Sequence, residues 1–184
     1  MTPSTFVTYP GTVTETESDR VPALRFSPGP SGYARFATRE WFIPPVRVAG
    51  TLQITESVRS PGTRGLDGLH IHLGHAGNSR NYVASLVRRD RNAKVAVEYG
   101  WLGYQTLAGV WDASGPELVS GRTYHFDVTW ADSRIETWLA SEAGVWTMTA
   151  DIPDDRRIPA GAVGLRLDSL EAVGNFTVKQ GGAP

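Results

Sequence analysis

The stretch RTYHFDVTWADSRIETWLAS, residues 122–141, carries the reading of the fold. Side chains of a β-strand alternate between its two faces. Tyr124, Phe126, Val128 and Trp130 therefore share one face, and His125, Asp127 and Thr129 the other. A polar turn, ADS, interrupts the pattern, and it resumes with Ile135, Thr137 and Leu139 set against Arg134, Glu136 and Trp138. Two such runs joined by a short turn predict a hairpin with one apolar and one polar face. Tyr124 and Trp130 fall on its buried side and Trp138 on its polar side.

Working outward, the same two-residue period recurs. ALRFS (23–27) ends at a PGPSG turn. YARFATREWF (33–42) sets Tyr33, Arg35, Ala37, Arg39 and Trp41 against Ala34, Phe36, Thr38, Glu40 and Phe42. It stops at IPP, because proline has no ladder donor. VAGTLQITESV (48–58) precedes GLHIHLGH (68–75), where His70 and His72 point opposite to Leu69, Ile71 and Leu73. NYVASLVRRD (81–90) and KVAVEYG (94–100) predict a hairpin that YQTLAGVW (104–111) continues. VWTMTAD (145–151), AVGLRLDS (162–169) and VGNFTVKQ (173–180) follow the opening stretch. About ten to twelve short strands, with a turn every eight to twelve residues or so, argue for a β-sandwich or barrel. Twenty Gly and twelve Pro supply the turns, and no apolar stripe of helical period appears. No linker divides residues 1–184, so one domain is expected, with residues 1–20 and 180–184 loosely held.

Composition removes several function classes. The 18 basic residues are scattered and the formal net charge is −1, so the basic stripe of a nucleic-acid binder is missing. No apolar run of about 18 residues predicts a membrane-spanning helix. Cysteine is absent, which excludes disulfides, thiol catalysis and Cys-ligated zinc. MTPSTFVTYPGTVTETESDR lacks the basic start and apolar core of a secretory signal. The expected location is cytoplasmic if Met1 is the native start, and extracellular if the chain comes from a secreted precursor.

SGRTYHFDVTWADSRIETWLAS (120–141) resembles the central hairpin of laminin-G-like domains of the concanavalin A-like superfamily. The resemblance rests on Gly121, Tyr124, His125, Phe126, Val128, Thr129 and Trp130. IPAGAVGLRLDSLEAVGNFTV (158–178) is similar to the ending of those domains, and NYVASLVRRD with KVAVEYGWLGYQTLAG to the middle hairpin of bacterial members. Together these cover about two-thirds of the chain. The resemblance implies a jelly-roll sandwich of two antiparallel sheets. Its concave face is one often used for glycan binding and sometimes for glycan cleavage. Two features of the superfamily are missing. Asp112, Asp132, Asp168 and Asn175 lack the spacing of a calcium rim, and no E-x-D-x-x-E run of a retaining glucanase occurs.

Candidate chemistry centres on three groups. His70 and His72 share a strand face, and with His125 they have the composition of a metal trio. The pair also resembles that of cupins, which need a Glu after three or four intervening residues, where Ala76 and Gly77 stand. No metal or cofactor is therefore expected, and the histidines are read as hydrogen-bonding groups. A second resemblance, to jelly-roll alginate lyases, follows the order Arg35, Arg39 and Glu40, then His70 and His72, then Tyr99, Tyr104 and Gln105. It implies β-elimination by His70, His72, Tyr104 and Arg39, with a cation neutralising the uronate carboxylate and Tyr or His removing a proton. Trp138, beside Arg134 and Glu136, suits sugar recognition by ring stacking and hydrogen bonding. The leading expectation is a non-catalytic glycan-binding domain. Its ligand would lie on a concave face shared by the HIH, YHFDVTW and RIETWLA strands, against His70, His72, His125, Asp127, Arg134, Glu136 and Trp138. The alternatives are a polyuronate lyase, a small-molecule enzyme if the chain is cytoplasmic, or a protein-interaction module.

Overall fold

The two-residue period becomes two seven-stranded antiparallel sheets in the computed structural model. It describes residues 2, 6–9, 11–28, 32–57, 68–76, 80–98, 103–109 and 114–181. Sheet A holds, in spatial order, β1 (Phe6–Tyr9), β4 (Tyr33–Thr38), β13 (Ala162–Asp168), β6 (Gly68–His75), β7 (Asn81–Arg88), β8 (Lys94–Glu98) and β9 (Tyr104–Gly109). Sheet B holds β12 (Gly144–Asp151), β11 (Arg134–Ser141), β10 (Thr123–Trp130), β5 (Val46–Ser57), β14 (Leu170–Gln180), β3 (Val21–Ser27) and β2 (Thr12–Ser18). No helix among the described residues is long and apolar enough to cross a membrane.

The sheets stack their apolar faces on each other. Leu69, Ile71 and Leu73 of sheet A meet Tyr124, Phe126, Val128 and Trp130 of sheet B in one buried cluster. Trp130 packs edge-on against Tyr82, with ring centroids 5.9 Å apart. The Tyr82 hydroxyl donates to the Arg156 carbonyl (2.8 Å) and accepts from the Ile158 amide (2.9 Å), which fastens the segment before β13 to sheet A. At the centre of sheet B, β14 presses closely on β5. A Cβ on Gly174, whose φ is +157°, would stand 2.0 Å from the Thr51 carbonyl oxygen. Only glycine accepts that backbone and that approach.

Three expectations need correction. The N-terminal segment is not loosely held where it is described: β1 pairs with β4, β2 pairs with β3, and Phe6 is buried. Phe6 explains why, since its ring joins Phe26 and Phe176 in the core. The YARFATREWF strand ends at Thr38, and Phe42 makes only an isolated bridge to Gly161. Most importantly, the HIH strand and the YHFDVTW and RIETWLA strands lie in different sheets. Their polar faces look outward on opposite sides of the sandwich.

That facing has a direct test in stability. Trp130→Ala, which empties a buried site, is expected to lower the unfolding free energy by about 3–5 kcal/mol. Trp138→Ala, on an exposed face, is expected to cost about 1 kcal/mol or less. Urea unfolding of the two variants measures both, and equal losses would contradict the assignment.

Candidate functional site

The outer face of sheet A is built on cross-strand rows, because residues opposite each other in antiparallel strands share a face. One row runs Arg35, Arg166, His70, Ser85, Lys94 across β4, β13, β6, β7 and β8. The next runs Ala37, Gly164, His72, Val83, Ala96. Small side chains thus flank His72, while the longer Arg35, Arg166 and Glu98 stand around it. Such a face is ordinarily wet, yet His70, His72, Asn81, Ser85, Arg88, Glu98, Arg166 and Asp168 are all buried. Tyr104, at 36% exposure, marks where this group reaches solvent.

Glu98 is the hub. It accepts from Asn81 Nδ2 (2.9 Å), from the Tyr104 hydroxyl (3.2 Å) and from Arg35 (3.4 Å), and Arg166 lies 3.9 Å away. Arg166 also donates to Tyr104 Oη at 2.6 Å and clasps Asp168 at 2.9 and 3.0 Å. His70 is held between the Ser85 hydroxyl (2.8 Å) and Asp168 (3.5 Å).

The arrangement fixes the protonation of His72. A carboxylate only accepts, so the Asn81 amide turns its NH2 to Glu98 and its oxygen to His72 Nδ1. That oxygen also only accepts, so Nδ1 carries the proton. Burial, and then the charges of Arg35 and Arg166, hold His72 well below the usual imidazole range, so the ring is neutral. Its Nε2 is consequently a bare lone pair, buried and with no hydrogen-bond partner among the described residues. Burial also raises the Tyr104 phenol, with Arg166 acting against the shift and Glu98 with it. Tyr104 therefore stays a donor.

The outer face of sheet B differs. Trp138 is 40% exposed and stands between Asp127 and Thr147 of the neighbouring strands. Arg47 donates its Nε to both Asp127 oxygens, at 3.0 and 2.8 Å. Arg134 reaches Glu136 (3.6 Å) and Asp151 (3.3 Å), and His125 Nδ1 pairs with the Thr51 hydroxyl at 2.9 Å.

The seven residues expected to share one ligand face therefore split. His70 and His72 lie on sheet A, and His125, Asp127, Arg134, Glu136 and Trp138 on sheet B. The metal trio fails for the same reason, since His125 is across the sandwich from the HIH pair. Among the described residues no group of three or more His, Asp or Glu is placed to hold a metal. Of the residues named for elimination, His70, His72 and Tyr104 share a face, but Arg39 lies beyond the end of β4 and Arg35 occupies the face instead. Tyr99, Trp101, Trp111 and Asp112 lie outside the described residues. Sequence reasoning left Asn81, Glu98 and Arg166 unassigned. The signal was there in KVAVE and GLRLD, whose charges alternate with apolar residues as the HIH pair does.

No protein-family model and no curated protein matches the chain. Solved structures do. The chain is similar to the carbohydrate-binding module CBM66 from Bacillus subtilis, at 13% identity and TM-score 0.66, covering 96% of each chain. It is also similar to a Bacillus subtilis protein of unknown function with a galectin-like fold, at 14% identity and TM-score 0.68, covering 97% of this chain and 90% of that one. The exoplasmic/lumenal domain of VIP36, in a Ca2+/Man3GlcNAc-bound form, gives 10% identity and TM-score 0.59, with 98% and 85% covered. The fold is the concanavalin A-like jelly roll.

His72 makes stability depend on pH. Its folded pKa lies below the unfolded value near 6.5, so the unfolded chain binds the proton first on acidification. Stability is then full above about pH 6.5 and falls below it, by up to about 1.4 kcal/mol per pH unit for one proton. His75, also lowered by burial, adds in the same direction. Urea unfolding at about pH 7.5, 6.5 and 5.5 should show the decline, and His72→Gln should remove much of it. A flat profile in the parent protein would contradict this account.

Proposed function

We propose that the chain is a carbohydrate-binding domain whose ligand lies on the outer face of sheet A. The observation that carries the reading is the bare Nε2 of His72 within a face otherwise crowded with donors and acceptors. A buried acceptor without a donor costs about 1–3 kcal/mol. His72 is 1% exposed, so a sugar hydroxyl supplies that donor only once the side chains covering the ring move aside. The same ligand meets the Glu98 carboxylate and the Tyr104 oxygen as acceptors and Arg35 and Arg166 as donors, the mixed set that a polyhydroxylated ring requires. The apolar core is built on the inner face without these side chains. The similarity in fold to a carbohydrate-binding module, and to a lumenal domain solved with Man3GlcNAc, supports a glycan as the ligand.

One observation favours a second reading on the same face. A neutral imidazole, a protonated phenol and two guanidinium groups are the parts of a β-elimination site, with Arg35 in the place expected of Arg39. Unsaturated uronate product from a polyuronate panel would establish that reading, and its absence would leave binding alone.

A glycan array of the purified chain tests the main proposal. It should give a family of related hits. Hydrogen bonds to charged groups contribute about 1.5–3 kcal/mol, so Glu98→Gln should weaken the hit by about tenfold or more. Tyr104→Phe removes a single hydroxyl and should cost about threefold to tenfold. Binding that survives both substitutions unchanged would place the ligand elsewhere.

A further inference from the structure

The outer face of sheet B holds an aromatic ring and hydrogen-bonding groups that the site on sheet A does not use. A depression of about 590 Å³ lies there, lined by Arg47, Asp127, Glu136, Trp138, Thr129 and Thr149 among others. That volume falls within the range of small-ligand sites. A second depression of about 400 Å³ adjoins it across β5, near Ala49, Thr51 and Thr177. Strand register joins the two. Trp138, Asp127, Ala49 and Thr177 form one row across β11, β10, β5 and β14. Three strand spacings make that row about 14 Å long.

We propose that this face carries a second saccharide site, for a neutral oligosaccharide lying across the strands, so that the domain holds two ligands on opposite faces. The chemistry selects that class. The indole face of Trp138 offers an apolar platform for the C–H side of a sugar ring, and 40% of the residue is left open to receive it. Threonine hydroxyls and the Asp127 and Glu136 carboxylates line the same depression as the ring. The groove carries an excess of one carboxylate, with Arg47 set against Asp127 and Glu136 in its lining. Arg47 is spent on Asp127 and Arg134 on Glu136 and Asp151. A uronate or sulfate would find the cations already paired and the carboxylates repelling it. Sheet A is the contrast, with Arg35, Arg88, Lys94 and Arg166 around Glu98 and Asp168. The sandwich core separates the two faces, so one short ligand cannot occupy both.

The site is independent of the reading given to sheet A. Calorimetric titration of the full chain with neutral gluco-, manno-, galacto- and fructo-oligosaccharides of four to six units tests it. At least one is expected to bind. Trp138→Ala should then weaken binding about tenfold or more, while Trp138→Phe, which keeps an aromatic platform, should stay within about threefold. Thermal unfolding of both variants checks that they fold. No binding by any neutral oligosaccharide overturns the proposal, as does binding indifferent to Trp138→Ala. Loss of the neutral sugar in Glu98→Gln with retention in Trp138→Ala overturns it too, and leaves the sheet A reading standing.

Discussion

A carboxylate can only accept hydrogen bonds, and Glu98 imposes that constraint on the whole outer face of sheet A. Because Glu98 takes the amide hydrogens of Asn81, the Asn81 oxygen is left for His72, and the proton of His72 is fixed on Nδ1. Because Glu98 also takes the Tyr104 hydroxyl hydrogen, Tyr104 presents its lone pairs to Arg166. Arg35 and Arg166 sit directly opposite each other on adjacent strands, an arrangement that like charges disfavour. Glu98 and Asp168 between them offset it. Neutralising Glu98 would release four side chains from their orientations at once.

Such a network stands on the outside of the sandwich because the inside needs nothing from it. Alternation sends Leu69, Ile71, Leu165 and Leu167 inward and His70, His72, Arg166 and Asp168 outward from the same strands. The rigid stacked sheets hold the strand spacing, and the spacing holds the network. A buried polar network that is fully satisfied specifies one structure, and one left partly open is a costly feature without a ligand. His72 Nε2 and Arg35 Nε are open positions around Glu98. The outer face of sheet B solves a different problem: the charges around Trp138 are paired, and its ring is left exposed for contact.

The fold was legible because period-two alternation is a local signal. RIETWLAS predicts β11 to the residue, and Tyr124 and Trp130 take the core positions that their phase requires. Facing within a strand was equally legible, as His70 with His72 and Trp138 with Glu136 demonstrate. What alternation cannot tell is which sheet a strand joins, since the phase of a strand is the same in either. That is why seven residues read as one face fall on two. The N-terminal strands were missed because TVTETES shows exposed and half-exposed residues throughout, the pattern of an edge strand, which reads as a polar tail. Glu98 and Asn81 were missed for another reason. Each is ordinary in its own strand, and only the pairing of β7 with β8 makes them partners.

The central claim is that His72 is a neutral, Nδ1-protonated imidazole with Nε2 free to accept from a ligand. Two-bond nitrogen–proton correlation NMR on histidine-labelled protein reads both nitrogens directly. The account predicts a protonated Nδ1 and an unprotonated Nε2 for His72 at neutral pH, with the Nε2 resonance shifting when a sugar that binds sheet A is added. A protonated Nε2, an imidazolium, or an Nε2 resonance indifferent to saturating sugar would contradict it.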